Sequence, residues 1–128
     1  MSDSSTPSNN LAQKLDYRGK NLTNILLTCQ EFLESNFQQI QGRELRFDES
    51  KFISCTFHAA VVRDSEWKSC FLDNCLGKFA DFENTVFSNC EFKQGAFEQA
   101  SFYSCSFESS TITQLNFQGA DLRNCNGS

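Results

Sequence analysis

The residues of this chain that could do chemistry are seven cysteines, one histidine and sixteen aspartates and glutamates. Cysteines at this density point to metal ligands, disulfides or a nucleophile, and Cys70 with Cys75 has the look of a ligand pair. Their spacing is not free, however. Cys55, Cys70, Cys75, Cys90, Cys105 and Cys125 are separated by multiples of five, and only Cys29 stands off that series. The series also contains pairs twenty apart (Cys55/Cys75, Cys70/Cys90, Cys105/Cys125). Met1 to Asn10 lacks the charged-then-apolar layout of a secretory leader. The expectation is therefore reduced cysteines packed as small hydrophobes. His58 has no serine or cysteine set beside it by more than the spacing supplies, so a nucleophilic triad has no anchor. Glu31, Asp48, Asp81, Glu91 and Glu98 sit where solvated residues belong, and no glycine-rich phosphate loop occurs. No catalytic, cofactor-binding or metal-ligating residue is assigned, no cofactor is implied, and the chain reads as a non-enzyme.

What must position such residues follows from the rest of the sequence. The chain has 128 residues, which makes one domain the default. A net charge of −5 argues against a protein that grips nucleic acid. No apolar run is long enough to span a bilayer, so no membrane association is expected and a cytoplasmic location is.

The informative period is five. Every fifth residue from Tyr17 to Leu122 is large and apolar, Gly42 and Gly77 alone excepted. This column holds Phe32, Phe37, Phe47, Phe52, Phe57, Trp67, Phe82, Phe87, Phe92, Phe97, Phe102, Phe107 and Phe117, which is every phenylalanine except Phe71 and Phe79. A second column, two residues earlier, is mostly Ser, Cys, Ala or Thr. The remaining positions are polar.

On an α-helix, steps of five would scatter the phenylalanines by about 140° each. On a straight strand, an odd period would send alternate ones to opposite faces. A chain that turns a corner after each five residues buries both columns. In this the sequence resembles the pentapeptide-repeat proteins over roughly Leu15 to Asn124. The resemblance implies an all-β fold, a right-handed quadrilateral parallel β-helix of about 5.5 coils, with residues 20 apart stacked. At about 4.8 Å per coil the rod would be about 26 Å long. The expected organisation is a flexible tail over 1–14, with a short helical turn through Ala12–Lys14 capping the first coil. The solenoid follows over 15–125 and a short tail over 126–128.

Gly42 and Gly77 leave central slots without a side chain. Ile40 is expected to supply the bulk near Gly42. Around Gly77 two readings stay open: a bulge that lets Leu76 or Phe79 cover the gap, or an empty slot into which neighbours relax. Outward apolar residues Phe71, Leu76 and Phe79 form a candidate partner surface, and Leu33 is expected to stack on Ile53. No polar cap follows the last coil, so Phe107, Ile112, Phe117 and Leu122 are a candidate homodimer end.

The resemblance also carries two functional expectations. The first is a protein-interaction module acting through the solenoid surface, its partner unnamed. Some members of the family, the quinolone-resistance proteins, imitate duplex DNA and bind DNA gyrase or topoisomerase IV. By that resemblance Asp81, Glu83, Glu91, Glu98 and Glu108 form a candidate acidic surface for the same partners. Duplex DNA of about 26 Å bears roughly 15 negative charges, against a net −5 here.

Overall fold

The structure, a computed structural model, describes residues 12–126; the tail expectations over 1–11 and 127–128 lie outside the described residues. The chain winds as a four-sided parallel β-solenoid. The first side is a six-stranded sheet of β1 (Ala12–Gln13), β3 (Glu31–Leu33), β6 (Lys51–Ile53), β9 (Phe71–Leu76), β12 (Glu91–Ala96) and β13 (Thr111–Asn116). Bridges Asp16↔Asn36, Asn36↔Thr56 and Thr56↔Leu76 begin the second side, which the far ends of β9, β12 and β13 continue. The third side joins β4 (Gln41–Arg43), β7 (Val61–Arg63) and β10 (Asp81–Glu83). The fourth joins β2 (Leu26–Thr28), β5 (Arg46–Asp48), β8 (Glu66–Lys68) and β11 (Val86–Ser88). Partners are twenty residues apart, as in Phe47↔Trp67 and Phe52↔Leu72.

The five-residue period works because each unit ends in one residue at positive φ. Asn24, Cys29, Glu34, Gln39 and their successors at every fifth position to Gln99 have φ between about 51° and 63°. That residue turns the chain, so the next inward pair again faces the axis. Phe37, Phe47, Phe52, Phe57 and Trp67 are fully excluded from solvent, as are Cys55 and Ala60 of the small column. Rings twenty apart stack: Phe37 on Phe57 at 4.9 Å, Phe32 on Phe52 at 5.0 Å and Phe87 on Phe107 at 5.1 Å. Burying one such side chain stabilises the fold by roughly 1.5–3 kcal/mol.

The N-terminal expectation is corrected. Ala12–Gln13 is not a helical turn but strand β1, paired with Glu31 and Phe32. The offset there is nineteen residues rather than twenty, and the regular register starts with Asp16↔Asn36. The free edge of β3 offers backbone donors and acceptors that a strand satisfies and a helix would not. At the other end Asn126 belongs to the last coil, bridged to Ser106.

The two glycine slots are filled differently. At Gly42, Ile40 is buried, but Leu45 also turns in, its Cδ2 reaching 3.0 Å from where a Cβ would stand. At Gly77 there is no bulge. Gly77 and Phe79 donate to Ala96 and Glu98 as Phe57 and Ala59 donate to Leu76 and Lys78 one coil earlier. Leu76 and Phe79 stay outside. Phe97 leans into the gap from the next coil, two ring atoms lying 2.8 Å from the position a Gly77 Cβ would take. An aromatic ring can tilt over an empty slot more cheaply than a hydrogen-bonded backbone can bulge.

Candidate functional site

The interior is packed with aromatic rings, so what this chain presents to another molecule is its outside. The side chains there come from three of every five positions, and each side has its own chemistry. The third side is ionic. Arg43 reaches Asp64 at 3.1 Å, and Arg63 reaches Asp81 at 2.6 Å and Glu83 at 3.5 Å. Arg43 and Arg63 stand opposite each other on β4 and β7, so without these carboxylates like charges would face each other across the ladder. Asp81 holds the Arg63 guanidinium above its ordinary range through that hydrogen bond. The fourth side pairs Arg46 with Glu66 at 3.6 Å, and the first pairs Lys51 with Glu31 at 3.7 Å.

The second side is different. From Asn36 to Gly119 its outward positions carry Asn, Gln, Thr, Ala and His58, and only two full charges, Lys78 and Glu98. In its middle stand Leu76, 40% exposed, and Phe79, 58% exposed. Phe79 sits at a corner with φ 63°, a conformation that a bulky residue adopts only at a cost. Gly19 and Gly119 occupy the equivalent corner in other coils. Lys78 Nζ lies 5.5 Å from the Phe79 ring centroid. The His58 Nδ1 accepts the Lys78 backbone N–H at 3.0 Å.

The structure brings some of the expected residues together and separates others. Leu33 and Ile53 are register partners on the first side. Phe71 is half-buried on that same side, one corner away from Leu76 and Phe79. The five carboxylates of the acidic surface do not share a face: Asp81 and Glu83 lie on the third side, Glu91 on the first, Glu98 on the second and Glu108 on the fourth. Asp81 and Glu83 are also paired with Arg63. In the last coil, Ile112 and Leu122 are exposed, Phe107 and Phe117 half-buried. The charge-poor second side is hidden in the linear sequence, although taking every twentieth residue from Asn36, Gln38 and Gln39 exposes it.

The seven cysteines differ in exposure, with Cys125 half-buried in the last coil. Cys29 is exposed, its thiol 3.4 Å from Glu49, whose carboxylate pushes the thiol above its ordinary range. Cys55, Cys70, Cys75, Cys90 and Cys105 are buried. Each donates to a backbone carbonyl, as Cys70 to Phe47 and Cys90 to Trp67, and burial pushes Cys105 up to about 12. Among the described residues no group of three or more His, Cys, Asp or Glu is placed to hold a metal ion.

Comparison with known proteins agrees with this geometry. The pentapeptide-repeat family model, in eight copies, matches residues 96–126, and the same five-residue register continues through the structure from there to the first coil. The family model covers only that C-terminal part of the chain, while the described solenoid as a whole has the fold of the pentapeptide-repeat β-helices. A pentapeptide-repeat protein, Rfr23 from the cyanobacterium Cyanothece 51142, superposes with a TM-score of 0.67 at 11% identity, over 88% of this chain and 87% of that one. QnrB1, a plasmid-mediated fluoroquinolone resistance protein, aligns at 15% identity over 90% of this chain and 73% of its own, with a TM-score of 0.40. No curated protein matches the sequence. No helix among the described residues is long and apolar enough to cross a membrane.

Proposed function

We propose that this protein is a non-enzymatic interaction module of the cytoplasm that recognises a protein partner through its second side. Phe79 carries this reading. An aromatic residue there adds nothing to the core and occupies a left-handed corner, so it costs the fold twice: in backbone strain of roughly 1–2 kcal/mol and in exposed apolar surface. Every unit carries a residue in this conformation, and Phe79 is the one aromatic among those of the described residues. The setting suits a partner, because interface centres are poor in charge and rich in aromatic residues. Leu76 extends the patch, and Phe71 flanks it around the corner.

The test is a Phe79→Asn chain. A partner captured by the wild-type protein should bind the variant at least tenfold more weakly while the variant melts at a higher temperature. Equal affinity for both chains would remove Phe79 from the interface and this reading with it.

Gyrase or topoisomerase IV as the partner, met by an acidic DNA-like surface, finds less support in a rod whose carboxylates are spread over four sides. It predicts that the protein alters gyrase supercoiling and that Glu91→Gln with Glu108→Gln weakens the effect. A homodimer through Ile112 and Leu122 is proposed from their exposure at core-type positions. Light scattering should show a dimer that Ile112→Asp dissociates.

A further inference from the structure

The winding places thiols together that the linear sequence keeps twenty residues apart. Lys68↔Ser88 and Phe71↔Glu91 flank Cys70 and Cys90, so these two are opposite one another across adjacent coils. Ile53↔Asp73 and Thr56↔Leu76 do the same for Cys55 and Cys75. All four are at most 2% exposed. We propose that Cys70 with Cys90, and Cys55 with Cys75, form interior sites for a thiophilic metal ion of linear, two-ligand coordination. Linear spacing points instead to Cys70 with its neighbour Cys75, and to no metal.

Distances decide what such a pair can hold. In-register side chains on neighbouring parallel strands stay about one strand spacing apart, near 4.8 Å from Cβ to Cβ. A relaxed disulfide wants about 3.5–4.5 Å there, so oxidation would pull two coils together against their hydrogen bonds. Two metal–thiolate bonds of about 2.3 Å laid end to end hold two sulfurs about 4.6 Å apart, close to the separation of side chains that project in parallel from neighbouring coils. A tetrahedral ion such as zinc lacks its further ligands, since no third one converges among the described residues. Soft thiolate ligands select soft ions.

The environment also suits the charge. A divalent ion binding two cysteines releases two protons to solvent and forms two metal–sulfur bonds. The product is neutral, with no net charge left among the aromatic rings. The neighbouring Cys90 thiol and burial hold the Cys70 thiol far above its ordinary range, so the pair rests protonated until metal–sulfur bonds displace the protons. The thiol protons, now directed at the carbonyls of Phe47 and Trp67 at 3.3 and 3.2 Å, are the ones displaced.

The experiment uses the full chain with Cys29, Cys105 and Cys125 changed to serine, reduced and titrated with mercuric chloride. Thiolate-to-metal absorption should saturate at about two ions per chain, and the melting temperature should rise, because an ion that bridges folded coils binds the native state. Adding Cys70→Ser and Cys90→Ser should remove one ion and part of the rise. Serine already fills the neighbouring positions Ser50 and Ser110 of that column, so this variant keeps its hydrogen bonds. If mercuric ion instead lowers the melting temperature of both chains alike, or the stoichiometry is unchanged by the double substitution, the pairs are not a site.

Discussion

Two kinds of corner in this solenoid solve one problem in different ways. At the corner entering the third side, Ala60, Ala80, Ala100 and Ala120 each donate their backbone N–H to the residue three before, at 2.9–3.3 Å. The turn closes on itself, and the side chain need only be small. At other corners of the earlier coils the N–H looks to the next coil, whereas towards the last coil Cys105 and Ser110 donate to Phe102 and Phe107 within their own turn. Gln30 donates to Ser50 Oγ at 3.2 Å, Leu45 to Ser65 Oγ at 3.0 Å and Cys90 to Ser110 Oγ at 3.0 Å. Cysteines take the same bond on sulfur, as Cys70 does from Ser50. Thus the column that looks uniformly small in sequence divides in space: positions where smallness suffices, and positions where an oxygen or sulfur must meet a buried N–H.

The largest test removes that acceptor. Ser65→Ala leaves the Leu45 N–H buried without its partner and should cost roughly 1–3 kcal/mol in urea denaturation. The reverse exchange, Ala80→Ser, should stay within about 1 kcal/mol, because its corner has no N–H waiting. Comparable losses at both sites would erase the distinction. Next in size, Phe79→Asn relieves a strained position on the self-closed corner and should gain about 1 kcal/mol in the same measurement.

The thiols give a smaller but sharper contrast. Buried cysteines should resist alkylation in the native state, whereas Cys29 should react slowly at neutral pH and faster above it, because Glu49 disfavours its thiolate. Glu49→Gln should speed that reaction several-fold, read by mass spectrometry of the alkylated chain. The smallest effect is acidic. Arg123 holds the Asp121 carboxyl below its ordinary value of 3.8. Its contribution to stability is therefore present above that value and lost as pH falls through the lower, folded one. Asp121→Asn should flatten the melting temperature against pH in the range below about 4 and leave the slope unchanged near neutrality.

The behaviour of individual residues marks how far the linear pattern reaches. Phe37 over Phe57 and Leu33 beside Ile53 follow from the period of five once the four-sided winding implied by the family resemblance is added, since the two together place every twentieth residue in a stack. Gly77 does not resolve that way: whether its slot is filled by Phe79 from the same coil or Phe97 from the next depends on which moves more cheaply, ring or backbone. Trp67 fits the aromatic column by size, but among the described residues its buried indole N–H has no hydrogen-bond partner, a cost that hydrophobic spacing does not register.

Periodicity alone determined that this protein is a rod with aromatic rungs inside and polar residues outside, because only a regularly turning backbone can bury one residue in five. Which carboxylates are neutralised, which side is left without charge, and which small residues carry a hydrogen bond were decided by the winding. Those properties belong to neighbours twenty or so residues away, and adjacency across coils exists only once the chain has closed its four sides.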